Sequence, residues 1–298
     1  MHNNDVLINL EGISFKYHAG PLVLDALDFK LERGNRVGLI APNGSGKTTL
    51  LHIIMGLLKP LSGKLEIFGK PVREENDFAA IRRRIGLLFQ DADDQLFSPT
   101  VLEDVAFGPL NLGKSKNEAI HIARHTLDRL GLAGFEDRIT FKLSGGEKRL
   151  VSLATVLAME PEALLLDEPM NGLDIQTKAK LTKILRDLDI AYVLISHDFD
   201  FLAETADSIY TMTDGKILLD RELHLHEHVH AHAHGVYPHQ HMISSNDREY
   251  REKGSSEWVS DRRQRKQDRR QRTQDRRQNL EDIRQQSAVR DKRAGGRG

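Results

Sequence analysis

The chain has 298 residues, no cysteine and a formal net charge of −1. That length carries one large or two small domains with a proper core, and the missing cysteines exclude a disulfide framework and any thiolate metal site. The first residues show no basic stretch leading into an apolar one, and no apolar run approaches the ~20 residues of a membrane helix, so the chain is expected to stay on the cytosolic side.

The near-zero charge hides an asymmetry. From 260 to 298 there are 14 Lys/Arg against 6 Asp/Glu, a net +8, and the remaining residues carry 29 against 38, a net −9. An acidic body with a basic tail suggests a separate interaction segment.

The first segment with chemistry in it is "VGLIAPNGSGKTTLLHIIMGLL". Arg36 to Ile40 reads as a buried strand and Leu50 to Leu58 as an apolar helix stripe, with a glycine loop between them. Strand, glycine loop and helix form the context of a phosphate-binding loop. Glycines let successive backbone N–H groups converge on phosphate oxygens that a side chain would keep away. The loop residues are Asn43, Gly44, Ser45, Gly46, Lys47, Thr48 and Thr49. Lys47 would reach the β- and γ-phosphates, and the Thr48 hydroxyl would ligate Mg²⁺. The motif G-x-x-x-x-G-K-[ST] wants glycine at 41, where this chain has Ala41. That methyl is tolerable if φ is negative there.

"LSGGEKRLVSLATVLAMEP" follows. Ser144, Gly145 and Gly146 would cap a helix with bare N–H groups and a positive dipole end facing outward. This is a second anion site in a chain whose first loop already supplies one, which hints at a partner subunit. In "EALLLDEPMNGLD", Ala163 to Leu166 reads as a strand buried on both faces and ending in two acids. Asp167 is placed to hold Mg²⁺ through its water shell, and Glu168 to polarise the attacking water. A solvated loop start is the bland alternative for two such acids.

"APNGSGKTT", "LSGGE", "LLLDEP", "GLD" and "VLISHD", in that order, resemble the ATP-binding subunit of an ABC transporter over residues 5 to about 220. The resemblance implies ATP and Mg²⁺ as ligands and a sandwich dimer, most simply a homodimer, in which each LSGGE closes on the γ-phosphate held by the other subunit. Carried onto this chain, it makes Tyr17 the aromatic that stacks on adenine and Gln90 the group that senses Mg²⁺ and the lytic water. Ser144 and Gly146 would touch the partner's γ-phosphate, Asp174 would lie on the loop coupling the two sites, and His197 would be the switch histidine on the γ-phosphate. Each has a plainer reading alone: a strand-end aromatic, a loop polar group, an ordinary imidazole.

"GLLFQDADDQLFSPTVLEDVAFGPLNLG" is similar to the energy-coupling-factor importers of cobalt, nickel and vitamins. On that resemblance Asp94, Gln95, Leu96 and Phe97 face a groove that receives a helix of the membrane subunit. Packing within the helical subdomain is the alternative.

Beyond residue 220 the composition shifts. His224, His226, His228, His230, His232 and His234 alternate along the chain. Extended or helical, they offer multidentate imidazole suited to Ni²⁺, Co²⁺, Zn²⁺ or Cu²⁺. A solvated linker that picks up metal without a selected role is the other reading. From Ser260 on, Asp261, Asp268, Asp275 and Asp282 recur every seven residues with no consistently apolar heptad position. This reads as a marginal charged helix or disorder rather than a coiled coil, and no nucleic acid is expected as partner.

The sequence therefore points to an α/β phosphate-loop core of ABC ATPase type at 1–220, with an N-terminal antiparallel β portion and a helical subdomain at about 77–156. A His-rich linker at 221–247 and a low-complexity charged tail at 248–298 follow. The expected function is ATP hydrolysis powering uptake of nickel or cobalt through separate membrane subunits, one a transporter and one binding substrate, from the cytoplasmic face as a peripheral protein. Two alternatives stay open: an ABC ATPase for another cargo, and a metal-binding regulator with residual ATPase activity.

Overall fold

The structure is a computed structural model that describes residues 5–18 and 20–218. The histidine run, the 221–247 linker and the 248–298 tail lie outside the described residues.

Two sheets sit side by side. The first is antiparallel, in the order β2-β1-β4-β5: β1 (Val6–Lys16), β2 (Leu22–Glu32), β4 (Ser62–Ile67) and β5 (Lys70–Pro71). In β2, Leu27, Phe29 and Leu31 point inward at period two while the residues between face water. This is the N-terminal antiparallel portion expected from sequence.

The second sheet has six strands in the order β10-β9-β3-β8-β7-β6. β3 (Arg36–Ile40), β6 (Ile85–Leu88), β7 (Ala163–Asp167), β8 (Ala191–Ile195) and β9 (Ser208–Thr213) run parallel, and β10 (Lys216–Leu218) is antiparallel to β9. Every residue of β7 and β8 is buried, because the antiparallel sheet and one helix cover one face and further helices cover the other. That is why "ALLLD" and "AYVLI" read as continuous apolar runs. The register sets Leu39 beside Ile195 and Ile195 beside Asp167. The carboxyl ends of three adjacent strands therefore open on one edge, where the loops carrying polar residues begin.

Seven α-helices occur among the described residues: α1 (Lys47–Ile54), α2 (Glu75–Ile81), α3 (Val101–Asn111), α4 (Lys116–Arg129), α5 (Gly145–Leu157), α6 (Ile175–Asp187) and α7 (Phe199–Thr205). α3, α4 and α5 share a buried cluster that includes Val105, Ala123, Leu127 and Val151, joined to the sheet through Leu88, Leu164 and Leu166. The helical portion thus starts later than residue 77. Phe78 and Ile81 of α2 are buried in the other cluster, with β1, β2 and β4, and β6 is the edge strand of the parallel sheet. A four-residue strand between two helices leaves too short a period-two signal to see in sequence. Gly86 marks its contact with α5: a Cβ there would stand 2.1 Å from a Val156 methyl.

The apolar stripe read through Leu58 also ends early. Gly56 takes φ +69°, and the Gly56 and Leu57 N–H groups close back on the Ile53 and His52 carbonyls at 3.0 and 2.8 Å. This Schellman-type cap stops α1 at Ile54.

Arg36, at the start of β3, is only 4% exposed. Its guanidinium donates to the Arg186 carbonyl at 2.8 Å and to the Leu188 carbonyl, orphan acceptors at the end of α6, and lies 5.6 Å from the centre of the Tyr192 ring. Arg36→Met keeps the apolar stem but strands those carbonyls. It should cost about 2–4 kcal/mol of unfolding free energy in urea titration.

Candidate functional site

The loop after β3 runs into α1 at the opening between strands. Gly46, the residue before α1, has φ +97°. An added Cβ would stand 2.8 Å from Leu24 and 2.9 Å from the Val23 carbonyl. Conformation and space both require glycine there, and its backbone is free to face a ligand. The Ser45 hydroxyl is buried without a hydrogen-bond partner.

Lys47 is 9% exposed. Its Nζ donates to the Ala41 carbonyl at 3.1 Å, to Asn43 Oδ1 at 3.4 Å and to Glu168 Oε1 at 3.1 Å. The ammonium is thus held at the loop's centre by three acceptors, one of them a buried carboxylate.

Asp167 closes β7, and Glu168 follows with φ +44°, a left-handed turn that costs a non-glycine residue roughly 1–2 kcal/mol. The turn aims both acids at the loop. The Thr48 hydroxyl donates to Asp167 Oδ2 at 2.8 Å, while Glu168 Oε2 lies 3.0 Å from His197 Nδ1. Asp167 Oδ1 is buried with no partner. Burial chiefly, then the charge of Glu168, raises the Asp167 pKa, against the Thr48 hydrogen bond that lowers it. A desolvated carboxylate with one unused oxygen beside a threonine hydroxyl fits a hard divalent cation such as Mg²⁺, which takes oxygen donors and keeps part of its water shell. Thr48 and Asp167 would hold it, and it would neutralise charge on a bound phosphate chain.

The folded-state pKa of Asp167 lies above its ordinary 3.8, so its contribution to stability is full below that value and is lost as pH rises through the raised folded pKa. Asp167→Asn should therefore raise the melting temperature of nucleotide-free protein at neutral pH, and the gain should shrink as pH is lowered. Calorimetry across that range checks it.

A cavity of about 570 Å³ is lined by Tyr17, Asn43, Gly44, Gly46, Lys47, Thr48, Thr49, Gln90, Glu168, Asn171 and His197, with Val23. Tyr17 stands at its rim, 48% exposed, edge-on to Phe15 at 4.9 Å, its hydroxyl 3.1 Å from Thr49 Oγ1. A second hollow of about 920 Å³ adjoins it through Thr48, Gln90 and Asn171 and adds Asp91, Arg149 and Asp167.

The remaining expected residues stand elsewhere. Ser144 caps α5: its Oγ accepts from the Glu147 N–H and donates to the Glu147 carboxylate at 2.9 Å. Asp174 caps α6, accepting from Thr177 Oγ1 at 2.6 Å and from the Gln176 and Thr177 N–H groups; those bonds, the hydroxyl first, lower its pKa. A Cβ on Gly146 would lie 3.0 Å from Thr177 Oγ1, so the two helix starts touch. None of these three lines the smaller cavity, while Gly145, between two of them, lines the larger hollow.

Sequence reasoning passed over Asn171 and Arg149. Asn171 sits three residues past Glu168 and lines both hollows. Arg149 is 4% exposed and donates to the Phe89 carbonyl at 2.5 Å and to the Gln90 carbonyl. Burial lowers its pKa, opposed by the charges of Asp91 and Asp167. Its only signal was a basic residue on a helix otherwise apolar toward the core.

The four residues at 94–97 divide between the two readings: Gln95 and Leu96 pack within the helical portion, and Asp94 and Phe97 stay exposed. Gln95 turns inward and hydrogen-bonds α5, and Leu96 packs against the helical cluster. Phe97 stays 67% exposed, edge-on to Phe107 at 4.8 Å.

A glycine loop between strand and helix, facing two acids on a parallel strand of the same sheet, defines a phosphate-loop nucleotide hydrolase. Residues 24–171 match the family model described as "ABC transporter". A putative ABC transporter ATP-binding protein of Nitratidesulfovibrio vulgaris is 52% identical over 216 residues, which cover 72% of this chain and 79% of that one. The energy-coupling factor transporter ATP-binding protein EcfA of Methanocaldococcus jannaschii is 42% identical over 216 residues, covering 71% and 77%. Among solved structures, CbiO1 from Clostridium perfringens, described as part of the ABC transporter complex cbiONQ, aligns with a TM-score of 0.67 and 34% identity over 72% of this chain and 88% of that one. The cassette MJ0796, dimeric and bound to ADP and Pi in a post-hydrolysis state, aligns at 0.65 and 27% identity, over 71% and 96%.

The chain belongs to the ABC transporter family, as an ATP-hydrolysing subunit of the energy-coupling-factor, CbiO-like type.

Proposed function

We propose that this ATPase powers uptake of a divalent transition metal, nickel or cobalt, through separate membrane subunits. The observation that carries the cargo is the run of six alternating histidines from His224 to His234, placed after a cassette similar to CbiO1 of the cbiONQ complex. Imidazole without thiolate suits Ni²⁺ and Co²⁺, and the run would collect imported metal as it leaves the pore. A micronutrient such as a vitamin is the second reading, favoured by the relatives named EcfA.

At the nucleotide site, Tyr17 would stack on adenine and Lys47 would bind the phosphates, with the N–H groups of residues 43–49 around them. Thr48, Asp167 and Gln90 would arrange Mg²⁺, Glu168 would polarise the lytic water, and His197 would meet the γ-phosphate. Ser144, Gly146 and Asp174 stand apart from the nucleotide cavity, which supports their use across a dimer of two copies of this chain, each LSGGE facing the other's phosphate loop. The exposed pair Phe97 and Phe107 would take an apolar helix face of the membrane subunit. No described helix is long and apolar enough to cross a membrane, which accords with a peripheral subunit on the cytoplasmic face.

The test is accumulation of labelled Ni²⁺ and Co²⁺ in cells lacking the gene, complemented with wild type or Glu168→Gln. Uptake of one metal restored by wild type alone supports the reading. Uptake of both metals independent of this chain would remove the cargo and leave the ATPase.

A further inference from the structure

The segment from Phe89 to Gln95 follows β6, but its side-chain bonds lead to α5. Gln95 Nε2 donates to the Ser152 carbonyl and to Thr155 Oγ1, both at 2.9 Å, and its Oε1 accepts the Phe89 N–H at 3.2 Å. The Thr155 hydroxyl also donates to the Ser152 carbonyl at 2.8 Å, so the amide closes a small ring of hydrogen bonds. Arg149 holds the Phe89 and Gln90 carbonyls, and Lys148 Nζ meets Asp93 Oδ1 at 2.5 Å. Three residues of α5 supply side chains to this contact, and Ser152 adds a carbonyl. Gln90, exposed on the loop, sits directly after the pinned Phe89.

We propose that Gln95 is a positioning residue for Gln90: it fastens the loop to α5, so that Gln90 takes its place from the helix whose first residues are Ser144, Gly145 and Gly146. This rests on the role proposed for Gln90 at the Mg²⁺ and water, and is independent of the cargo. The physical case is the number and kind of bonds. One primary amide uses both faces, donating twice and accepting once, and it spans 57 and 60 residues of sequence to do so. A loop residue left to itself samples many orientations, and fixing the adjacent peptide removes most of them before the nucleotide arrives. The consequence is mechanical. A shift of α5 when its N-terminus meets a partner's phosphate carries Gln90 with it, so occupancy of one site of a dimer is reported at the other. Arg149 contributes to the same contact, but removing a buried cation confounds catalysis with folding. Gln95 and Thr155 are neutral and can be changed nearly isosterically.

The experiment uses the full-length chain with Gln95→Met, Thr155→Val, Gln90→Ala and Gln95→Met/Gln90→Ala. ATP turnover, the Mg²⁺ concentration for half-maximal rate, ATP affinity and melting temperature are measured for each. Gln95→Met should lower kcat on the order of tenfold or more and raise the Mg²⁺ requirement, with ATP affinity within about twofold of wild type. Thr155→Val should move the same quantities in the same direction by less. In the Gln90→Ala background Gln95→Met should add nothing, because its effect runs through Gln90. If Gln90→Ala slows turnover and Gln95→Met does not, the fastening proposal is overturned while Gln90 keeps its role. Losses that multiply, with kcat following melting temperature and the Mg²⁺ requirement unmoved, reduce Gln95 to a packing residue. An unaffected Gln90→Ala removes the role of Gln90 itself, and with it this use of Gln95.

Discussion

Glu168→Gln should lower ATP turnover by about 10²- to 10⁴-fold, the range for removing a positioned general base, while ATP binds at least as tightly as to wild type. The first half follows from placement. Glu168 is 4% exposed, is turned to the phosphate loop by its left-handed backbone, and sits between Lys47 and His197 at 3.1 and 3.0 Å. A carboxylate there can take a proton from water as the water oxygen bonds to the γ-phosphorus and the bond to the bridging oxygen breaks, releasing ADP, and an amide cannot. The second half follows from competition. Lys47 has three N–H donors, and they face Ala41, Asn43 and Glu168. A phosphate chain must claim at least one, and glutamine competes for it less strongly than a carboxylate. Single-turnover hydrolysis and a binding isotherm with the same nucleotide separate the two effects. Turnover within about threefold of wild type would take the base role from Glu168.

The parts of this site legible in sequence are those whose chemistry is local. Lys47 and Thr48 follow Gly46 directly, and Asp167 and Glu168 end a run that only a doubly covered strand would tolerate, so spacing and hydropathy sufficed. Gln95 stays between two readings in the sequence for the opposite reason. Its neighbours Leu96 and Phe97 suggest a surface groove, and only the approach of α5, more than fifty residues away, shows that the amide turns inward. Arg36 and Arg149 were illegible on similar grounds. A basic residue in an apolar stretch reads as a helix or strand end until the carbonyls that satisfy it are known, and those carbonyls belong to other elements. The early start given to the helical subdomain has a third cause, since Phe78 and Ile81 carry a helical pattern and nothing local says which sheet they cover.

Lys47→Met should abolish ATP binding and should also destabilise the nucleotide-free protein, by about 3–5 kcal/mol if the lost ion pair behaves as buried pairs usually do. The Lys47 and Glu168 side chains are 9% and 5% exposed, so removing the cation leaves a carboxylate with little water around it. His197 is the other side chain within reach of Glu168, and it is 70% exposed, a weaker substitute. The double variant Lys47→Met/Glu168→Gln no longer carries the stranded charge, and its stability should return to within about 1.5 kcal/mol of wild type, or exceed it. Urea unfolding of the four proteins gives the coupling energy directly. Strong coupling means that the ligand-free site is held together by the charges it later uses on phosphate, so nucleotide binding exchanges one buried ion pair for another. Additive losses would mean that Lys47 is stabilised mainly by the Ala41 carbonyl and the Asn43 amide oxygen, and that Glu168 stands free of it before ATP arrives. In that case the tighter ATP binding expected of Glu168→Gln should disappear as well, because no competing pair would remain for the nucleotide to break.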